Sequence, residues 1–179
     1  MQTNTNKTFV NDIKKHSALW GAFLFLLIAG AKIDLDFGGN VSFTLQTLVL
    51  GLAYYFLPRN WRLTLILTYL LLGIFGFSVY NGGSGWSYFV SWPLGFFVGF
   101  ILAAFLKIPK QNSYWLLLGY FLLLHAIIVV LGSTWLAFYA NSAYKGLETA
   151  LELLPGAIIK SGVGTGIILI ISSNSRLKT

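Results

Sequence analysis

No cysteine occurs in the 179 residues, so disulfide frameworks and thiolate metal sites are excluded. Acids are almost as scarce, at five, and the two histidines, His16 and His125, lie far apart. Neither a metal site nor a cofactor is expected from so thin a set of ligands. The Gly-x-x-x-x-Gly-Lys-Ser/Thr phosphate loop is missing, which rules out ATP hydrolysis through that device. Charged residues of both signs make up only 9% of the chain, against about a quarter in a water-soluble domain. A small soluble domain must cover its surface with polar groups, and this chain has too few to do so.

What fills the sequence instead is hydrocarbon: 56% of residues are hydrophobic and the mean hydropathy is +0.75. Apolar segments separated by polar breaks fall near 17–33, 42–58, 63–80, 86–106, 113–133 and 154–172. Each approaches the ~17–25 residues needed to cross a bilayer. With six crossings, Lys7, Lys14, Lys15, Arg59, Arg62, Lys107, Lys110, Arg176 and Lys178 share one side. That is nine of twelve basic residues, while four of the five acids (Asp34, Asp36, Glu148, Glu152) take the other. The basic side belongs in the cytoplasm. The expectation is an all-α, polytopic plasma-membrane protein with both termini inside. It has an N-terminal segment over 1–16, a six-helix membrane domain over 17–172 and a tail over 173–179. The net charge of +7 is then topological, and no nucleic-acid partner is expected. The polar start begins no secretory signal, and the first apolar stretch reads as a retained span.

Several places along the chain carry more than hydrophobicity. Ala18 and Ala22 put small residues one helical turn apart, a spacing that admits a second helix at close range. Gln46, near the outer end of the second span, must face protein or a cavity, because hydrocarbon penalises an unmatched amide. Trp61 in the tight basic turn 58–62 is an expected interfacial anchor. Between Tyr80 and Pro93 lie three glycines and five aromatic residues without a formal charge. Irregular backbone of that kind does not face lipid, so it either lines an outward pocket or rests in the interfacial aromatic belt. The segment from Trp135 to Leu154 reads as a long outer loop with an amphipathic, partly helical stretch at Thr149-Ala-Leu-Glu-Leu-Leu. Pro155-Gly156 then opens the sixth span, with Lys160 about a turn and a half inside. That ammonium either snorkels to the headgroups or donates into a pocket.

These residues resemble the blocks of the BioY family. Phe43-Thr-Leu-Gln-Thr47, Tyr69-Leu-Leu-Leu-Gly-Ile-Phe-Gly76, Val79-Tyr-Asn-Gly-Gly83, Gly95-Phe-Phe-Val-Gly-Phe100, Gly132-Ser-Thr-Trp-Leu136 and Leu154-Pro-Gly-Ala-Ile-Ile-Lys160 follow in the family's order. The resemblance covers about residues 18 to 165. It implies a six-helix S component that binds biotin and works with a membrane coupling subunit and two ATPases of an energy-coupling factor (ECF) module. It also implies that Ala18 and Ala22 meet the coupling subunit. The family's Pro-Gly-Asp-x-x-Lys keeps its lysine here as Lys160 but has Ala157 in place of the acid. Ser78 and Phe96 also depart from the family's proline and tyrosine.

The expected site is therefore an outward cup walled by Tyr80, Trp86, Trp92 and Phe43. Asn81, Gly82, Gly83, Gln46 and Lys160 supply its polar groups, and loop 34–41 with Phe37 forms a lid. With the acid absent, the acceptor becomes Asn81, Gln46, Asp34 or Asp36, or the ligand is another small anionic metabolite. A rhomboid-like serine protease is the alternative from a different class, because Gly82-Gly-Ser84-Gly matches its motif and His125 offers a base. A purely structural subunit would leave the glycine- and aromatic-rich junction without a purpose.

Overall fold

The computed structural model describes residues 2–35, 43–111 and 113–176, with side chains over 11–33, 44–111 and 113–174. In chain order the elements are α1 (Gln2–Lys32), β1 (Asp34–Leu35), β2 (Phe43–Thr44), α2 (Gln46–Phe56) and α3 (Arg59–Ile74). They are followed by α4 (Gly85–Phe89), α5 (Leu94–Ala103), α6 (Tyr114–Tyr139) and α7 (Ala143–Arg176). The two short strands pair antiparallel, Asp34 opposite Thr44 and Leu35 opposite Phe43.

Among the described residues, three helices are long and apolar enough to cross a membrane: Asn11–Lys32, Tyr114–Tyr139 and Ala143–Asn174. Large apolar side chains on them point outward, with Phe25, Trp115, Val130, Phe138 and Ile170 between 61% and 77% exposed. Such surfaces are stable only in lipid or against another protein. The apolar segments at 42–58, 63–80 and 86–106 contain shorter helices than their lengths suggested. Residues 43–44 go into β2, Gly76 turns the chain at a φ of +94°, and the break before Pro93 separates α4 from α5. At ~1.5 Å per residue, α2, α3 and α5 are about 15–24 Å long, below the ~30 Å of a hydrocarbon core.

The expected outer loop from Trp135 to Leu154 is corrected. Helix α6 runs to Tyr139, and α7 starts at Ala143 and continues to Arg176 without a break. A tight turn through Asn141, whose φ is +48°, joins them. Asn tolerates this left-handed conformation better than most residues do. Pro155 accordingly lies inside α7 and does not begin a helix. Its ring and missing N–H deny one carbonyl its helical partner, a natural place for a bend.

Glycines set how closely the helices approach. A side chain at Gly95 would strike the Leu131 carbonyl and Trp135, one at Gly99 would meet the Ile128 backbone, and one at Gly132 would fill the place of the Phe96 ring. Helices α5 and α6 therefore pack backbone to backbone, as small-residue faces allow. The Phe121 ring lies against both Gly51 of α2 and Gly164 of α7.

Arg62 is more than a topological charge. It is buried, donating from Nε to the Leu57 carbonyl at 2.7 Å and from Nη1 to the Leu106 and Ala104 carbonyls at 3.0 and 3.4 Å. Those carbonyls end α2 and α5, where helical partners run out. Arg62→Met is expected to destabilise the purified protein by about 2 kcal/mol through orphaned carbonyls, read as a lower Tm in detergent. An unchanged Tm would show that water or lipid headgroups replace the guanidinium.

Candidate ligand-binding site

A cavity of about 200 Å³ lies among α2, α3, α5, α6 and α7. One wall is aromatic. Tyr80 stands at its centre, with its ring 5.5 Å from that of Tyr69, 4.6 Å from Phe97 and 5.9 Å from Tyr88. Trp92 lies edge-on to Tyr88 and Phe96 and completes the wall. Tyr80 reaches this position because Gly73 has no side chain. A Cβ there would coincide with the Tyr80 ring, and the Tyr80 hydroxyl donates to the Leu70 carbonyl one turn earlier.

The polar groups come from separate elements. Gln46 opens α2 and donates from Nε2 to the Tyr69 hydroxyl at 2.8 Å, which donates in turn to the Val79 carbonyl at 3.1 Å. Since the tyrosine's proton is committed, the amide nitrogen must face it, and Gln46 keeps its Oε1 as an acceptor. Asn81 follows Tyr80 along the cavity rim, and its carbonyl accepts from the Tyr88 hydroxyl. Next to it Gly82 takes a φ of +84°, a backbone state that side chains disfavour.

Lys160 projects from α7 into the cavity and is only 8% exposed. The snorkelling alternative is therefore discarded. Its Nζ donates to the carbonyl of Thr44 in β2 at 3.2 Å. The base of the β1–β2 hairpin is thus itself part of the cavity wall.

Of the residues expected at the site, the structure brings together Lys160, Asn81, Gly82, Gln46, Tyr80 and Trp92. Two do not join them. Trp86 is 62% exposed and stacks on Phe89, and Gly83 packs beneath the Tyr88 ring, where a Cβ would collide. Phe43 is placed as β2 backbone, and Phe37 and Asp36 lie outside the described residues.

Sequence reading missed Tyr69, Tyr88, Thr44, Thr47 and His125 as cavity residues. Tyr88 sat in the flagged 80–93 segment, and Thr44 and Thr47 flank Gln46, so a local signal existed for these three. Tyr69 and His125 are brought in by tertiary packing alone. Lys32 was missed as well. Its Nζ donates to Ser78 Oγ at 3.1 Å and to the Tyr80 carbonyl, tying the end of α1 to the turn before the cavity. Ser78, the departure from the family's proline, is what gives this lysine a hydroxyl to hold.

The protease alternative fails on geometry. Ser84 is an exposed residue preceding α4 and does not line the cavity that holds His125. The hydroxyls beside His125 belong to Thr47 and Ser161.

A helical membrane protein with a buried cation in an aromatic cavity is the class that fold and site define. The family model described as BioY family matches residues 1–176, and the chain belongs to that family. The biotin transporter BioY of Thermotoga maritima is 33% identical over 132 residues, covering 72% of this chain and 78% of that protein. The crystal structure of an S-component for biotin from an ECF-type ABC transporter matches with a TM-score of 0.78. The identity is 19%, and the match covers 91% of this chain and 93% of that one, so the likeness establishes the fold. The chain is accordingly a transport protein of the plasma membrane and not an enzyme.

Proposed function

We propose that this chain is the substrate-binding S subunit of an ECF-type transporter and captures biotin from outside in the cavity beside Lys160. The observation that carries the reading is the cavity itself. It offers one buried ammonium, two amide side chains and a continuous aromatic wall, in a space suited to a single small metabolite. The ammonium donates to a carbonyl or carboxylate, the amides take the remaining polar edges, and the rings enclose the apolar part. The relationship to a biotin transporter and to a biotin S-component supports this ligand over another anion.

The chain crosses the membrane six times with both ends in the cytoplasm, as its charge placement suggests. Residues 1–16 and 173–179 flank the membrane domain, and loop 34–41, of which 36–41 lie outside the described residues, is the lid that the sequence suggests. Ala18 and Ala22 are exposed on α1, and Gly21 between them has open space before it. That face receives the membrane coupling subunit, which brings two ATPases to a chain that has no phosphate loop of its own.

Two measurements test this. Purified protein is expected to bind radiolabelled biotin saturably and to prefer it over a panel of other vitamins. Tighter binding of another anion from the panel would replace the ligand. Ala18→Leu/Ala22→Leu is expected to leave that binding unchanged and to abolish energised uptake in cells, because bulk at the small-residue step keeps a second helix away. Full uptake by the double variant would move the coupling face elsewhere.

A further inference from the structure

Among the described residues lining the cavity none is an acid, so the acceptors that these residues offer a bound N–H donor are neutral. The wall beside Lys160 shows which one. Ala157, Lys160 and Ser161 are three and four residues apart and share one face of α7. Ala157 lines the cavity with a bare methyl. One turn on, Ser161 Oγ donates to the Ala157 carbonyl at 2.7 Å and lies 3.1 Å from His125 Nδ1.

The tautomer of His125 follows from its neighbours. Nδ1 is 2.9 Å from the Phe121 carbonyl, which can only accept. The proton of Ser161 is already given to Ala157, so its oxygen also accepts from Nδ1. Both contacts place the imidazole proton on Nδ1 and leave Nε2 an acceptor in the neutral ring. Nε2 is 3.2 Å from Thr47 Oγ1. Thr47 must therefore donate its hydroxyl proton to the ring, and the lone pairs of Oγ1 are left for the cavity it lines.

We infer that Thr47 Oγ1, held in this orientation by His125, accepts a hydrogen bond from a urea-type N–H of the ligand, in place of the carboxylate absent at Ala157. Thr47 is the residue that touches the ligand, and His125 is its positioning residue. The inference rests on the reading of the ligand as biotin, whose cyclic urea presents such N–H groups. A neutral acceptor of this kind separates molecules that carry an N–H from isosteres that carry an oxygen at the same place, since two facing lone pairs repel.

The experiment compares biotin with cyclic-carbamate analogues in which each ring N–H in turn is replaced by oxygen. Binding is measured on purified full-length protein, with thermal unfolding as the check on folding. Wild type is expected to bind one of the two analogues about 10-fold more weakly than biotin. Thr47→Val keeps the shape and loses the hydroxyl, so it should bind biotin about 10-fold more weakly and no longer separate the pair. Thr47→Ser should restore both properties. His125→Leu releases the Thr47 proton and should likewise reduce the discrimination while Thr47 is intact. If Thr47→Val still discriminates as wild type does, or if Gln46→Leu alone abolishes discrimination, the assignment is wrong and the biotin reading stands. If wild type does not bind biotin at all, the reading of the ligand falls and this inference falls with it.

Discussion

Replacing Lys160 by alanine is expected to weaken biotin binding by roughly 10- to 150-fold, the range for losing a charge-assisted hydrogen bond worth about 1.5–3 kcal/mol. The residue projects into the cavity at 8% exposure and already donates to a carbonyl across it. Removing the buried ammonium removes its desolvation penalty but leaves the Thr44 carbonyl without this donor, and the two effects oppose each other in stability. Affinity and folding are read apart: ligand affinity falls by an order of magnitude or more, and Tm without ligand shifts only slightly. Isothermal titration and thermal unfolding of the same preparation measure both. Tight binding that survives the substitution would take Lys160 out of the site.

Gly73→Leu should have a larger structural consequence. Even a Cβ at this position coincides with the Tyr80 ring, and a leucine fills the space outright. Tyr80 packs on Tyr69, Tyr88 and Phe97 and its hydroxyl is held by the Leu70 carbonyl, so yielding toward the cavity would break all four contacts. Overpacking of one or two methylenes already costs about 1–3 kcal/mol, and four added carbons against a fixed ring should exceed ~4 kcal/mol. The variant is expected to lose most of its folded yield in detergent. Gly73→Leu/Tyr80→Ala gives the leucine room and should recover folding without recovering binding, since the aromatic wall has lost its centre. Recovery of full affinity in the double variant would show that Tyr80 is scaffold alone.

How far the residues themselves announced this structure depends on the kind of signal. Hydrocarbon content and the sidedness of charge were enough for a helical membrane protein, because lipid leaves few alternatives to a helix. Lys160 and Gln46 were legible for a related reason: a polar group inside an apolar segment needs an internal partner. The aromatic, glycine-rich stretch 80–93 was found as a unit, yet the roles within it were not separable. Which of Gly82 and Gly83 lines the cavity depends on where the Tyr88 ring lies, and no local pattern encodes that. The error over 135–154 has a plain cause. Polar residues such as Asn141, Lys145, Glu148 and Glu152 suggested a loop, whereas a helix that emerges from the membrane can carry them on its exposed turns. His125 was visible as a polar residue in an apolar helix, but its partners Thr47 and Ser161 lie 78 and 36 positions away.

The bond from Lys160 to the Thr44 carbonyl gives this site an admission threshold. A molecule arriving at the ammonium meets a charge already accompanied, and its oxygen shares three N–H donors with an amide oxygen. Weakly basic oxygens gain little there, while a carboxylate or the strongly polarised oxygen of a urea gains more. Screening of guests would then reside in that 3.2 Å contact.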